Sequence, residues 1–177
     1  MLIQTKIKVR TSWLGAERTA QQIRRFERDT QSTLIRLDLA QWNWALSQAV
    51  DALGMDFIDI SSIRFPTTID SPKLELMVRR WSKTGKGQLE EKFESIRSGT
   101  HLTFDVLIVT SKEPAASTGG KEDGRPPTIE EFEQIMQFIG KHIGLSPWGN
   151  RMGYGRFDVL EITNATINKR NSTHSVG

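Results

Sequence analysis

Residues 2–10, LIQTKIKVR, alternate between apolar and polar positions: Ile3, Thr5, Ile7 and Val9 fall on one side, and Gln4, Lys6, Lys8 and Arg10 on the other. A period of two predicts a strand with one buried and one basic face. Residues 11–37 carry Trp13 and a polar, basic stretch without a strong apolar stripe, and read as an insertion, partly helical around Ala16–Arg28. The period then lengthens. Leu39, Trp42, Leu46, Ala49, Val50 and Leu53 recur at helical spacing between Asp38, a good N-cap, and Gly54, a good residue just past a helix end. FIDISSIRF (57–65) reads as a strand ended by Pro66. KLELMVRRW (73–81) alternates, with Leu74, Leu76 and Val78 on one side, and turns basic at Arg79, Arg80 and Lys83. Beyond the TGKG turn signal at 84–87, Leu89, Phe93 and Ile96 have helical spacing, although a β-ribbon arm fits the same stretch. HLTFDVLIVT (101–110) is the most strand-like run of the chain.

Residues 111–127 shift to Lys, Glu, Gly, Ser and Pro and read as a mobile loop inside one domain. Thr128 and Glu131 form a capping-box pattern, and Ile129, Phe132, Ile135, Met136, Ile139 and Ile143 line one face of the helix that follows, up to Gly144. A last strand is expected over Arg156–Ile162. The order strand, helix, strand, strand, helix, strand is that of the α+β, ferredoxin-like split βαβ frame, which RRM domains share. It predicts one domain over 1–177, with two helices on one sheet face and inserted arms at 11–37 and 82–100.

Composition narrows what such a domain can do. Of the 177 residues 37% are hydrophobic and 25% charged, so the chain can bury a core. It has no cysteine, which excludes disulfides, cysteine-ligated zinc and thiol nucleophiles. No apolar run approaches the length of a bilayer span, and the first residues read as a strand, not a signal peptide, so no membrane contact and a cytoplasmic location are expected. Net charge is +3. The bias is local: up to Val50 there are eight Lys/Arg against four acids, which suits a nucleic-acid partner.

The segment GNRMGYGRF, Gly149–Phe157, concentrates the candidate chemistry. Its glycines let the backbone take positive φ and approach a partner closely. Arg151 and Arg156 suit phosphates, and Trp148 and Tyr154 suit stacking on bases. The alternative is a tight helix-to-strand connection in which Trp148 and Tyr154 close the core. Neither a phosphate-cradling G-x-x-x-x-G-K-[ST] loop nor a strand-to-helix G-x-G-x-x-G occurs, so no nucleotide or other small-molecule cofactor is expected. Lys6, Lys8 and Arg10 on one sheet face suit a phosphate track, or else a solvated edge. Arg24-Arg25 and Arg79-Arg80 with Lys83 are weaker versions of the same pattern. His101, His142 and His174 have no neighbours at ligand spacing, so no metal is expected. No nucleophile–base pair stands out, and Trp44 on the first helix is a candidate interface anchor.

Phe138-Ile139-Gly140-Lys141-His142-Ile143-Gly144-Leu145-Ser146-Pro147, followed by Gly153-Tyr154-Gly155-Arg156-Phe157-Asp158-Val159, is similar to the C-terminal signature of small phage-type proteins. Those proteins in turn resemble the RAMP superfamily, the RRM-like subunits of CRISPR effector complexes. The resemblance implies a modified ferredoxin-like fold, RNA or single-stranded nucleic acid as ligand, and assembly as a homo-oligomer side by side along the strand or with effector-complex subunits. The family's glycine-rich loop is longer, with two Gly-hydrophobic-Gly halves, and only Gly153-Tyr154-Gly155 matches here. Nothing matches the histidine of the family's RNA-processing nucleases, so no enzymatic activity is expected; a ribonuclease using His101 ranks low. The expectation is a non-enzymatic nucleic-acid-binding protein. The competing one is a protein-interaction subunit or an inhibitor of a nucleic-acid machine.

Overall fold

A computed structural model describes residues 1–15, 17–18, 23–28, 34–70, 72–83, 87–110, 124–146 and 152–165. In chain order these form β1 (Leu2–Val9), β2 (Trp13–Leu14), β3 (Glu17–Arg18), β4 (Ile23–Arg25), β5 (Ile35–Arg36), α1 (Leu39–Leu53), β6 (Ile63–Arg64), β7 (Thr68–Ile69), β8 (Leu74–Lys83), β9 (Gly87–Ile96), β10 (His101–Ile108), α2 (Ile129–Phe138) and β11 (Phe157–Asn164). A 3-10 turn, Ile60–Ser62, precedes β6, and a π turn, Ile139–Ile143, continues α2. The α+β class, with two helices and antiparallel sheets, is as the periodicities predict.

The principal sheet has the order β11-β1-β10-β6, and each of its pairings is antiparallel. The alternation read in 2–10 decides which face is covered: Ile3, Thr5, Ile7 and Val9 are buried, together with Leu102, Phe104, Val106 and Ile108 of β10. Against that face lie Trp42, Leu46, Ala49 and Val50 of α1 and Phe132, Ile135 and Met136 of α2. Trp42 is the hub. Its ring centroid is 4.0 Å from that of Phe65, 5.6 Å from Phe104 and 6.3 Å from Trp13. Trp13 in turn meets Phe26 edge-on at 6.2 Å.

Both helix starts behave as their residues dictate. The Asp38 carboxylate accepts from the Gln41 amide at 3.1 Å, and Gly54 closes α1 with φ 66°. Thr128 and Glu131 cap α2 reciprocally.

Three expectations are corrected, and one open alternative is decided. Residues 57–65 are mostly not a strand: the Asp59 side chain accepts from the amide and hydroxyl of Ser61, while the Ser62 hydroxyl donates to the Asp59 carbonyl. Such local bonds compete with a ladder and wind 60–62 into the 3-10 turn. The described parts of 16–28 hold the strands β3 and β4, not helix, because β9 supplies a pairing edge for β4 and β4 one for β3. Of the two readings of Leu89–Ile96, the β-ribbon is the one found: β8 and β9 pair from Leu74↔Ile96 to Lys83↔Gly87. The arm therefore begins at Leu74, and Leu76 and Val78 are exposed on it. Finally, 111–123 lies outside the described residues, but 124–127 is held. The Arg125 amide donates to the Phe57 carbonyl at 2.9 Å, and the Asp59 amide donates to the Arg125 carbonyl at 2.8 Å.

The same Arg125 clamps the start of α2. Its guanidinium donates twice to the Glu131 carboxylate, at 2.8 and 2.5 Å. That bidentate bond holds Glu131 at a pKa of about 2, against partial burial, which works the other way. A carboxyl whose folded pKa lies below its unfolded value stabilises the fold at neutral pH. The contribution is complete above the unfolded pKa and is lost as pH falls from there toward 2. Glu131→Gln should lower the urea midpoint at pH 7 and show a flatter loss of stability than the native chain between about pH 4.5 and 2. Trp42→Ala, which empties the hub, should cost about 3–5 kcal/mol in the same urea titration.

Candidate nucleic-acid interface

The turn from α2 into β11 is built by close approach. A side chain at Gly140 would put its Cβ 2.3 Å from the Phe157 carbonyl oxygen, and one at Gly155 would put it 2.4 Å from the Ser146 amide nitrogen. Gly144, Gly153 and Gly155 all have positive φ, near 70–80°. Gly140, Gly144 and Gly155 thus shape the chain, whereas a Cβ at Gly153 would meet nothing within 4 Å.

Backbone bonds sew this turn to the end of β1. The Gly155 amide donates to the Ser12 carbonyl and the Leu145 amide to the Gly155 carbonyl, each at 3.0 Å. The Thr11 hydroxyl donates to the Gly153 carbonyl at 2.6 Å and accepts from the Arg156 amide at 2.9 Å.

Two arginines converge here from distant parts of the chain. The Arg79 guanidinium on β8 lies over the Tyr154 ring, 4.8 Å from its centroid. One of its nitrogens donates to the Met152 sulfur at 2.8 Å. Arg156 is half-buried. Burial lowers its pKa, although an arginine remains charged. Its Nη1 is enclosed and has no hydrogen-bond partner among the described residues. The hydroxyl of Ser146, which is fully buried, also lacks one. Arg79 is thus brought to Tyr154, on the turn that also carries Arg156. Trp148 and Arg151 lie outside the described residues.

The other basic candidates are elsewhere, and most are engaged. On the uncovered sheet face Lys6 lies opposite Thr103 and Glu161, and Lys8 opposite His101 and Asp158. Arg10 pairs with Asp158 at 3.6 Å. That face carries mixed charge, so the uniform basic face expected from β1 alone is corrected. It also presents no described Phe, Tyr or Trp ring from β1 or β10, because Phe104 turns inward.

On the arm, β9 supplies carboxylates. Arg24 pairs with Glu91, Arg25 with Glu94 at 3.7 Å, Arg28 with Glu94 at 2.9 Å, and Arg80 with Glu90 at 3.0 Å. The side chain of Lys83 lies outside the described residues. Sequence reasoning missed this neutralisation and the role of Thr11. The first was readable as a mirrored pattern of basic and acidic residues across the TGKG turn; for the second there was no local signal.

Among the described residues, no group of three or more His, Asp or Glu side chains could hold a metal, and no helix is long and apolar enough to cross a membrane.

No protein-family model matches the chain, and no curated protein matches it. Among solved structures, a chain in the cryo-electron-microscopy structure of the type III-B Cmr-beta bound to cognate target RNA is similar, at 14% identity and a TM-score of 0.59. The match covers 92% of this chain and 59% of that one, so this chain spans about three-fifths of its neighbour's length. The likeness shows a shared fold and assigns no particular family.

Thr11 makes the turn sensitive to a single hydroxyl. Thr11→Val should lower stability by about 1–3 kcal/mol, because a carbonyl and an amide in a partly buried site lose their partner. Hydrogen exchange at the Arg156 amide should rise more than exchange in α1.

Proposed function

We propose that this protein binds RNA or another single-stranded nucleic acid, and acts by binding, not catalysis. The observation that carries the reading is the Arg79 guanidinium lying over the Tyr154 ring on a glycine-shaped turn that also carries Arg156. The strand order β11-β1-β10-β6, with α1 and α2 on one face, supports the finer ferredoxin-like reading of the fold. The solved neighbour comes from an assembly bound to target RNA. In this reading Arg156 and Arg79 take phosphates, and Tyr154 offers a ring for a base. The sheet face contributes little, since its lysines sit opposite carboxylates.

Filter binding of single-stranded RNA against a salt series tests this. Affinity should fall linearly on logarithmic axes, and Arg79→Gln and Arg156→Gln should each weaken binding and flatten the slope by about 0.7. Arg24→Gln, which removes an arginine already paired with Glu91, should leave the slope unchanged. Absence of binding at low salt, or a slope unmoved in both loop variants, overturns the proposal.

The second reading, a protein-interaction subunit with no nucleic-acid contact, is favoured by the internal pairing of Arg10, Arg24, Arg25 and Arg80. It predicts assembly that is indifferent to added RNA, read by light scattering.

A further inference from the structure

α1 buries one face and leaves the other uncovered. Trp42, Ala45, Leu46, Ala49 and Val50 lie in the core, whereas Ala40, Trp44, Gln48 and Ala52 form an exposed ridge, each about one turn from the next. Trp44 is 38% exposed, and Leu39 beside the start of the ridge 37%. The outer face of a solvated helix ordinarily carries charged and polar side chains. α2 has Glu130, Glu131 and Glu133 there; α1 has one charge in its 15 residues, Asp51. An exposed aromatic among few charges is the composition of an interface core.

The order of residues along this face points to the partner. Leu39-Ala40 stands at one end and Ala52-Leu53 at the other, with a large side chain, Trp44 or Gln48, four residues inside each alanine. Small and large positions therefore read alike from both ends.

We propose that α1 is a self-recognition helix, on which a second copy of this chain lays its own α1 antiparallel, across a twofold axis midway between Trp44 and Gln48. Trp44 then meets the partner's Gln48, Ala40 the partner's Ala52, and Leu39 the partner's Leu53. Each unlike contact is made twice, as an isologous interface requires; a different protein would have no use for that symmetry. The indole lies along the methylenes of the partner's Gln48, and its N–H donates to that side chain's carbonyl oxygen. The alanines let the helices approach closely at both ends. Asp51 falls opposite the partner's Gln41, so no like charges oppose each other.

Other arrangements lose part of this. Moving the axis to Trp44 leaves Ala52 and Leu53 beyond the end of the partner's helix, and moving it to Gln48 does the same to Leu39 and Ala40. A parallel pair sets Asp51 against its own copy, a repulsive contact. One helix pair buries less than a standard interface, so the dimer is weak, with a dissociation constant of about 10 μM to 1 mM.

Sedimentation velocity on the RNA-free chain over that concentration range should show a reversible monomer–dimer equilibrium. Trp44→Arg should weaken it about tenfold or more, since both copies of the central contact are lost. Leu160→Arg, which charges a residue 47% exposed on β11, should leave it unchanged. The chain has no cysteine of its own, so single cysteines report the register. Positions 40 and 52 lie about 18 Å apart along one helix. A mixture of Ala40→Cys and Ala52→Cys chains should therefore cross-link to dimer on mild oxidation, and neither variant alone should. Circular dichroism on each variant checks that it is folded. A native chain that stays monomeric at every concentration, equal weakening by Trp44→Arg and Leu160→Arg, or cysteine variants that cross-link alone as well as in the mixture overturns the proposal. None of these results bears on RNA binding by the turn, to which α1 contributes no residue.

Discussion

The Trp42 indole is the contact on which the architecture depends. It sits on α1, yet its neighbours come from the principal sheet (Phe104), from the segment after β6 (Phe65) and from the strand that opens the insertion (Trp13). Through it Trp13 and Phe26 of the arm join the same buried core as the principal sheet. A large aromatic side chain suits this position because ring pairs set edge and tilt angles as well as burying area. The orientation of the arm, and with it the reach of Arg79 toward Tyr154, follows from that packing.

Much of this framework was legible in the sequence. β1, β10, α1 and α2 follow from period and caps, since Asp38, Gly54, Thr128 and Glu131 each act through neighbours within a few residues. What was not legible depends on partners far along the chain. Phe93 and Ile96 look helical by spacing, but they bury on opposite faces of a strand because β8 lies beside them. The 60–62 turn hides behind a strand-like composition because two serines and an aspartate bond locally. At the candidate site the glycines and Arg156 were legible as a cluster. Arg79, the residue that completes it, was noted only for its charge, since nothing local connects it with Tyr154.

The electrostatics carry a similar lesson. Counted along the chain, the first fifty residues are basic; folded, much of that charge is cancelled by β9, whose Glu90, Glu91 and Glu94 face arginines from β8 and β4. Exposed pairs of this kind contribute little to stability. Their larger effect is on the field, because a paired arginine attracts a distant phosphate less than an unpaired one.

Arg79 shows why the glycine turn is better suited to an anion than a bare cluster of charge would be. A flexible arginine loses side-chain entropy when a phosphate holds it, which subtracts from the affinity gained. Here the guanidinium is already positioned over the Tyr154 ring, and a thioether, a weak acceptor, takes one of its N–H groups. Contact with a ring uses the face of the guanidinium, while hydrogen bonds to phosphate leave from its edge, so the two are compatible. Tyr154 thereby helps to hold the cation at the turn. Arg24, Arg25 and Arg80 are held by carboxylates of β9 instead.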